Sequence, residues 1–162
     1  MKVMVKYTFS DYIKCLEQAG LLLEADTAGR EAMGILGLTY NSKAVTEGTL
    51  FICKGAAFKE DYLKEAVQRG AAAYVSEKKY DVNIPCILVS DIRKAMPYLA
   101  DLYFCRPWED LKLTGITGTK GKTTTVYYIK AIIDDYMAAT GGRESAELSS
   151  SDVYDGVVKS IS

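Results

Sequence analysis

Ten consecutive residues, Gly115-Ile116-Thr117-Gly118-Thr119-Lys120-Gly121-Lys122-Thr123-Thr124, have the types and spacing that bind phosphate. Backbone N–H groups at the start of a helix surround a phosphate when no side chain obstructs the approach, and Gly118 and Gly121 leave it open. Thr119 and Lys120 complete the turn between them. Lys122 reaches the terminal phosphates as a mobile point charge, and the Thr123 hydroxyl is placed to ligate a magnesium ion bridging them. Thr124 continues into the helix with a further donor. The strict P-loop spacing asks for glycine at position 116; an isoleucine stands there, with glycines at 115 and 118 instead. The loop is therefore of a particular kind, distinct from that of GTPases and small-molecule kinases.

The rest of the composition narrows the chemistry. The 162 residues include no histidine, which removes Ser-His-Asp, Cys-His and every other histidine-based general base. Catalysis would have to run on phosphate electrostatics, carboxylates or lysines, with Lys122 the first candidate. Cys15, Cys53, Cys86 and Cys105 are too widely spaced for the close pairs of a zinc site, and reduced, buried thiols are the expectation. A net charge of −1 gives no bulk electrostatic case for nucleic acid or an acidic membrane. No apolar run is long enough to span a bilayer, and Met1–Lys6 lacks the apolar block of a secretory signal. A cytoplasmic protein with no nucleic-acid or membrane partner is expected.

Several elements must position these residues. A helix is expected from a Ser10-Asp11 cap to a stop at Gly20, then a strand over 35–40 and a polar turn at Asn41-Ser42-Lys43. A second strand covers 49–53, and a helix carrying Tyr62, Leu63, Ala66 and Val67 on one face ends at Gly70. Short apolar strands follow at 72–75 and 85–89. Ile92, Ala95, Met96, Leu99 and Tyr103 recur at helical spacing, with Pro97 among them, so that helix should start late or kink. Residues 111–114 read as the strand leading into the glycine loop, and Val126, Ile129, Ile133 and Tyr136 or Met137 as one stripe of the helix after it. Alternating strands and helices imply an α/β fold with a mainly parallel or mixed sheet. A boundary near 106–111 divides a small amino-terminal α/β domain (1–110) from the start of a P-loop α/β domain (111–162).

The segment Gly115 to Thr125, GITGTKGKTTT, resembles the ATP loop of the Mur ligases and their folylpolyglutamate synthetase relatives. Residues 40–52, YNSKAVTEGTLFI, are similar to the "DSR…V..G.LF" pattern in the amino-terminal domain of the MurE branch, and 66–75 to the "A...GA.A.V" pattern that follows it. Asn41 and Lys43 stand where that pattern has aspartate and arginine. The resemblance covers nearly the whole chain. It implies an ATP- and Mg2+-dependent ligase that joins L-lysine or meso-diaminopimelate to UDP-MurNAc-L-Ala-D-Glu through an acyl phosphate. It also implies that Ser42 contacts the uridine nucleotide; a turn serine bonded to its own backbone is the plainer reading.

Ser151-Asp152-Val153-Tyr154-Asp155-Gly156 resembles the segment after the second strand of the ATP domain. A strand near 146–150 is expected to precede it, although Glu147 and the serines suit a buried parallel strand poorly. On this resemblance most of the central domain and the whole carboxyl-terminal domain lie outside the chain, which would be inactive alone. Residues 1 to about 110 should fold as a unit. Two alternatives stay open: another Mur-type ligase, and a stand-alone nucleotide-binding module without catalysis. The serine turn argues against the folate relatives, which lack that amino-terminal domain.

Overall fold

The computed structural model describes residues 7–55, 58–109, 112, 114–142, 145, 147–148 and 153–154. They fall into two compact units, residues 1–111 and 112–162. The first contains α1 (Phe9–Gln18), β1 (Leu22–Asp26), β2 (Gly37–Thr39), β3 (Thr49–Ile52), α2 (Glu60–Gln68), β4 (Ala71–Ser76), β5 (Cys86–Val89) and α3 (Ile92–Tyr103). The second contains α4 (Lys122–Thr140), β6 (Glu147–Leu148) and β7 (Val153–Tyr154).

In the first unit the five strands form one sheet in the order β1-β5-β4-β3-β2. Strands β2 to β5 are parallel neighbours, and β1 runs antiparallel to β5 at the edge. The sheet is thus mixed and mostly parallel. Successive side chains of a strand point to opposite faces, and both faces are covered. Leu50, Ile52, Ala73, Val75, Ile87 and Val89 meet Phe9, Tyr12 and Leu16 of α1 and Ile92, Ala95, Leu99 and Leu102 of α3. Phe51, Tyr74 and Cys86 point the other way, to Leu63 and Ala66 of α2. Strands buried on both faces explain the near-continuous apolar runs at 49–53 and 86–89.

Three details differ from the sequence expectation. Helix α1 is capped by Thr8, two residues before the expected Ser10-Asp11 cap. Asp11 sits in the first turn and accepts from both the Thr8 N–H, at 2.7 Å, and its hydroxyl, at 2.8 Å. Helix α3 starts at Ile92 despite Pro97, because the Asp91 carboxylate caps Arg93 N–H and Lys94 N–H at 2.9 and 3.0 Å. Pro97 deprives only the Arg93 carbonyl of its helical partner, and both residues lie on the exposed face of the helix. Strand β1 had no sequence signal. Glu24 and Asp26 interrupt its apolar character, and it survives as an edge strand with a register shift between Leu22 and Glu24.

The second unit departs further. Residues 114–118 adopt no strand, and 111 and 113 lie outside the described residues. A strand at that point needs a pairing partner, and the described strands β6 and β7 pair antiparallel with each other. Of the strand expected over 146–150, Glu147–Leu148 is a strand and pairs antiparallel with β7; residues 146 and 149–150 lie outside the described set. Helix α4 has no buried residue: Val126 and Ile129 are half-buried, while Ile132, Ile133 and Tyr136 are exposed. Near its carboxyl end Asp134 pairs with Lys130 and accepts from the Ser145 N–H and hydroxyl at 2.6 and 2.7 Å. No helix among the described residues is long and apolar enough to cross a membrane.

Candidate functional site

The glycine loop of the second unit runs straight into α4. Gly121 is the helix N-cap in the left-handed conformation, φ +76°, which L side chains rarely adopt. A β-carbon at Gly121 would meet nothing within 4 Å, so conformation and not crowding within the protein calls for glycine there. No side chain caps the helix, which leaves the first-turn N–H groups of Lys122, Thr123 and Thr124 facing outward. Lys122 Nζ donates to the Gly118 carbonyl at 2.5 Å, folding its charge back over the loop. The Thr125 hydroxyl donates to the Gly121 carbonyl at 2.9 Å and ties the first turn to its cap. Gly118, Thr119, Lys120, Gly121, Lys122 and Thr124 are exposed and Thr123 is half-buried. An uncapped helix start, the dipole of 19 helical residues and an adjacent ammonium together favour an anion. Thr123 has no carboxylate cluster to help it with a metal: no three His, Cys, Asp or Glu side chains converge among the described residues.

Ser42 lies in the first unit, on a 3-10 turn (Ser42–Ala44) just beyond the carboxyl end of β2. The Asn41 side chain accepts from Lys43 N–H at 3.1 Å and starts that turn. The Ser42 hydroxyl is not bonded to its own backbone. It donates to Glu65 Oε2 of α2 at 2.6 Å and is 8% exposed. Glu65 also pairs with Arg69, at 3.1 Å. The Ser42 hydrogen bond, assisted by Arg69, holds the Glu65 carboxyl below its ordinary pKa. Beside this turn Lys54 Nζ lies 4.5 Å from the centre of the Tyr40 ring.

A feature that the sequence reading missed adjoins these residues. A cleft of about 580 Å³ opens at the carboxyl ends of β3, β4 and β5, where open α/β sheets bind ligands. Its lining includes Cys53, Ser76, Lys78, Tyr80, Asp91 and Arg93. An apolar hollow of similar volume, with Met96, Pro97 and Ala100, shares Gly55 and Arg93 with it and adds Lys54. The acids of the cleft are already engaged. Glu77 Oε1 accepts from Ile92 N–H at 2.9 Å, and Asp91 caps α3. Lys78 and Arg93 balance the two acids of the cleft, and Lys54 of the adjoining hollow adds one further positive charge at the rim. The residues directly after each parallel strand were the available signal. It was weak, because the connection from β4 to β5 contains no helix; the Tyr74 hydroxyl holds it, accepting from Tyr80 N–H at 3.0 Å.

All four cysteines are free; Cys53 and Cys86 are buried, Cys15 and Cys105 half-buried. Burial pushes the Cys53 thiol up to about 12, so it stays protonated at neutral pH.

No protein-family model matches the chain. Individual proteins do. UDP-N-acetylmuramoyl-L-alanyl-D-glutamate–L-lysine ligase of Streptococcus pneumoniae D39 is 52% identical over 96 residues, 59% of this chain and 20% of that protein. The ligase of the same name from Streptococcus pyogenes serotype M28 is 52% identical over 91 residues, 56% of this chain and 19% of that protein. Over its amino-terminal part, the chain matches MurE-type ligases. It spans about a fifth of the length of these curated relatives. Among solved structures, the UDP-N-acetylmuramoylalanyl-D-glutamyl-2,6-diaminopimelate–D-alanyl-D-alanyl ligase of Acinetobacter baumannii superposes with a TM-score of 0.61 and 22% identity, covering 83% of this chain and 30% of that one. A crystal structure of MurF from the same organism gives 0.61 and 22%, covering 80% and 27%. The mixed α/β fold is therefore one found in Mur ligases.

Proposed function

We propose that this chain supplies the UDP-substrate-binding domain and the ATP loop of a cytoplasmic ligase of peptidoglycan precursor synthesis. The reaction joins L-lysine to UDP-MurNAc-L-Ala-D-Glu with consumption of ATP. The observation that carries this reading is the 52% identity to two streptococcal ligases named for that amino acid and that substrate. The fold of the first unit and the cleft at the carboxyl ends of its parallel strands agree with it.

In this reading the side-chain carboxylate of D-glutamate takes the terminal phosphoryl group of ATP, with ADP leaving. The lysine amine then attacks the acyl carbon, loses a proton and displaces inorganic phosphate. The first-turn N–H groups of α4 and the Lys122 ammonium hold phosphate oxygens and offset charge as it builds. The Thr123 hydroxyl is the ligand this chain offers to Mg2+, which supplies charge neutralisation between the phosphates when bound. The turn at Ser42 and the adjoining rim hold the uridine end, so recognition and phosphoryl chemistry are divided between the two units. Domain limits of 1–110 and 111–162 follow from that division of roles.

Titration of the chain with UDP and, separately, with Mg-ATP tests the proposal, followed by lysine-dependent phosphate release from the longest product of the gene. UDP and ATP binding with no phosphate release from that product would leave the chain a nucleotide-binding module. Failure to bind UDP would remove the proposed role of the first unit.

A further inference from the structure

Resting on the reading that Ser42 contacts the UDP end of the substrate, we infer that Glu65 is a positioning residue that makes Ser42 an acceptor only, so that Ser42 reads the nucleoside and not the phosphates. A serine hydroxyl has one proton to give and two lone pairs to accept with. The proton is spent: Ser42 Oγ donates to Glu65 Oε2 at 2.6 Å. Glu65 is itself fixed by Arg69 one turn later on α2, at 3.1 Å. The helix is anchored by Leu63 and Ala66, both fully buried against the sheet. The geometry therefore sets the rotor of the hydroxyl before any ligand arrives.

What is left on Ser42 Oγ is lone-pair density, which phosphate oxygens cannot use because they are acceptors too. A uridine diphosphate has three donors: the uracil N3–H and the ribose 2′- and 3′-hydroxyls. Ser42 must face one of them. An acceptor already hydrogen-bonded to an anion is polarised and accepts more strongly. Glu65 thereby acts on the ligand through Ser42 without touching it.

The test uses the full chain and UDP, with 3-methyl-UDP, 2′-deoxy-UDP and 3′-deoxy-UDP as donor-blocked probes. Affinities are measured by calorimetry and thermal melting is followed for every variant. Ser42→Ala is expected to weaken UDP about three- to tenfold, the worth of one hydrogen bond. One of the three blocked analogues should lose the same factor against wild type and nothing further against Ser42→Ala. Glu65→Ala should lose several-fold in the wild-type background but nothing more in Ser42→Ala. Glu65→Gln, which keeps an acceptor oxygen, should restore most of the affinity. The inference is overturned if every analogue loses equally in both backgrounds, or if Glu65→Ala weakens UDP as much without Ser42 as with it. It is overturned too if Glu65→Ala binds as wild type does. Wild-type chain that does not bind UDP would instead sink the substrate reading, and this inference with it.

Discussion

Removing the ammonium of the glycine loop is the most direct probe of the second unit. Lys122 is exposed and its Nζ donates to the Gly118 carbonyl at 2.5 Å. In Lys122→Ala that contact is lost, but an exposed carbonyl finds water, so the fold of the loop should be little affected. The loss falls on the phosphate. A charged hydrogen bond contributes about 1.5–3 kcal/mol, or roughly ten- to hundredfold in affinity. The exposed position favours the lower end, since solvent screens the charge. Calorimetry with Mg-ATP should therefore show a loss of about tenfold in Lys122→Ala and a smaller loss in Lys122→Arg, which keeps the charge but changes its shape. UDP affinity should be unchanged in both. Unaltered ATP affinity in Lys122→Ala, or an equal loss of ATP and UDP, would refute the phosphate role of this side chain.

Other expectations follow from the packing and electrostatics. Leu63→Ala removes a fully buried side chain from the cluster between α2 and the sheet, and should cost about 3–5 kcal/mol in urea unfolding of the first unit; a loss under about 1 kcal/mol would contradict the packing. Asp134, bonded by Lys130 and by Ser145, has its pKa lowered from 3.8 to about 2. Because the folded value is depressed, its contribution is fully present above about pH 4 and is lost as pH falls towards 2; the stability difference between wild type and Asp134→Asn should shrink over that window. Cys53, its thiol raised to about 12 by burial, should stay unmodified by a thiol-disulfide reagent at pH 8 until the first unit unfolds, which mass mapping of the labelled cysteines would show.

Sequence pattern conveyed the buried elements well and the exposed ones poorly. Leu50, Phe51 and Ile52 are apolar on both faces because helices cover both, so β3 announced itself. β1 did not, because Leu23 and Glu24 face solvent at the edge and only pairing with β5 holds the strand. Helix α3 was expected from its apolar spacing, but Pro97 suggested a late start or a kink; the Asp91 cap and four buried apolar residues let it begin at Ile92. Glycine, lysine and threonine types marked out the loop before α4 in the sequence, and its proposed phosphate binding rests mostly on backbone groups that such types leave open. Ser42 was legible only through resemblance. Its partner Glu65 lies 23 residues away on another element, and no local pattern links the two. The cleft was invisible for a similar reason, being assembled from the ends of three strands.

The two candidate sites are built on different physical terms. Around Ser42 the backbone is fixed from several sides. Thr49, buried at the start of β3, accepts from Thr46 N–H through its hydroxyl at 3.2 Å. The Gly48 N–H reaches the Gly70 carbonyl at the head of β4. Ser42 itself is tied to α2. Every one of these bonds exists without ligand, so the entropic cost of ordering the turn is met by the fold. The glycine loop has no such frame: its described residues are mostly exposed, and its lysine is held by one carbonyl of the loop. In the proposed reading, ordering there is driven by the phosphate charge that the loop receives. The rigid frame around Ser42 in the first unit and the loosely held glycine loop in the second agree with the proposed division of labour, in which one selects a substrate by shape and the other gathers phosphate charge, because discrimination and charge neutralisation place opposite demands on rigidity.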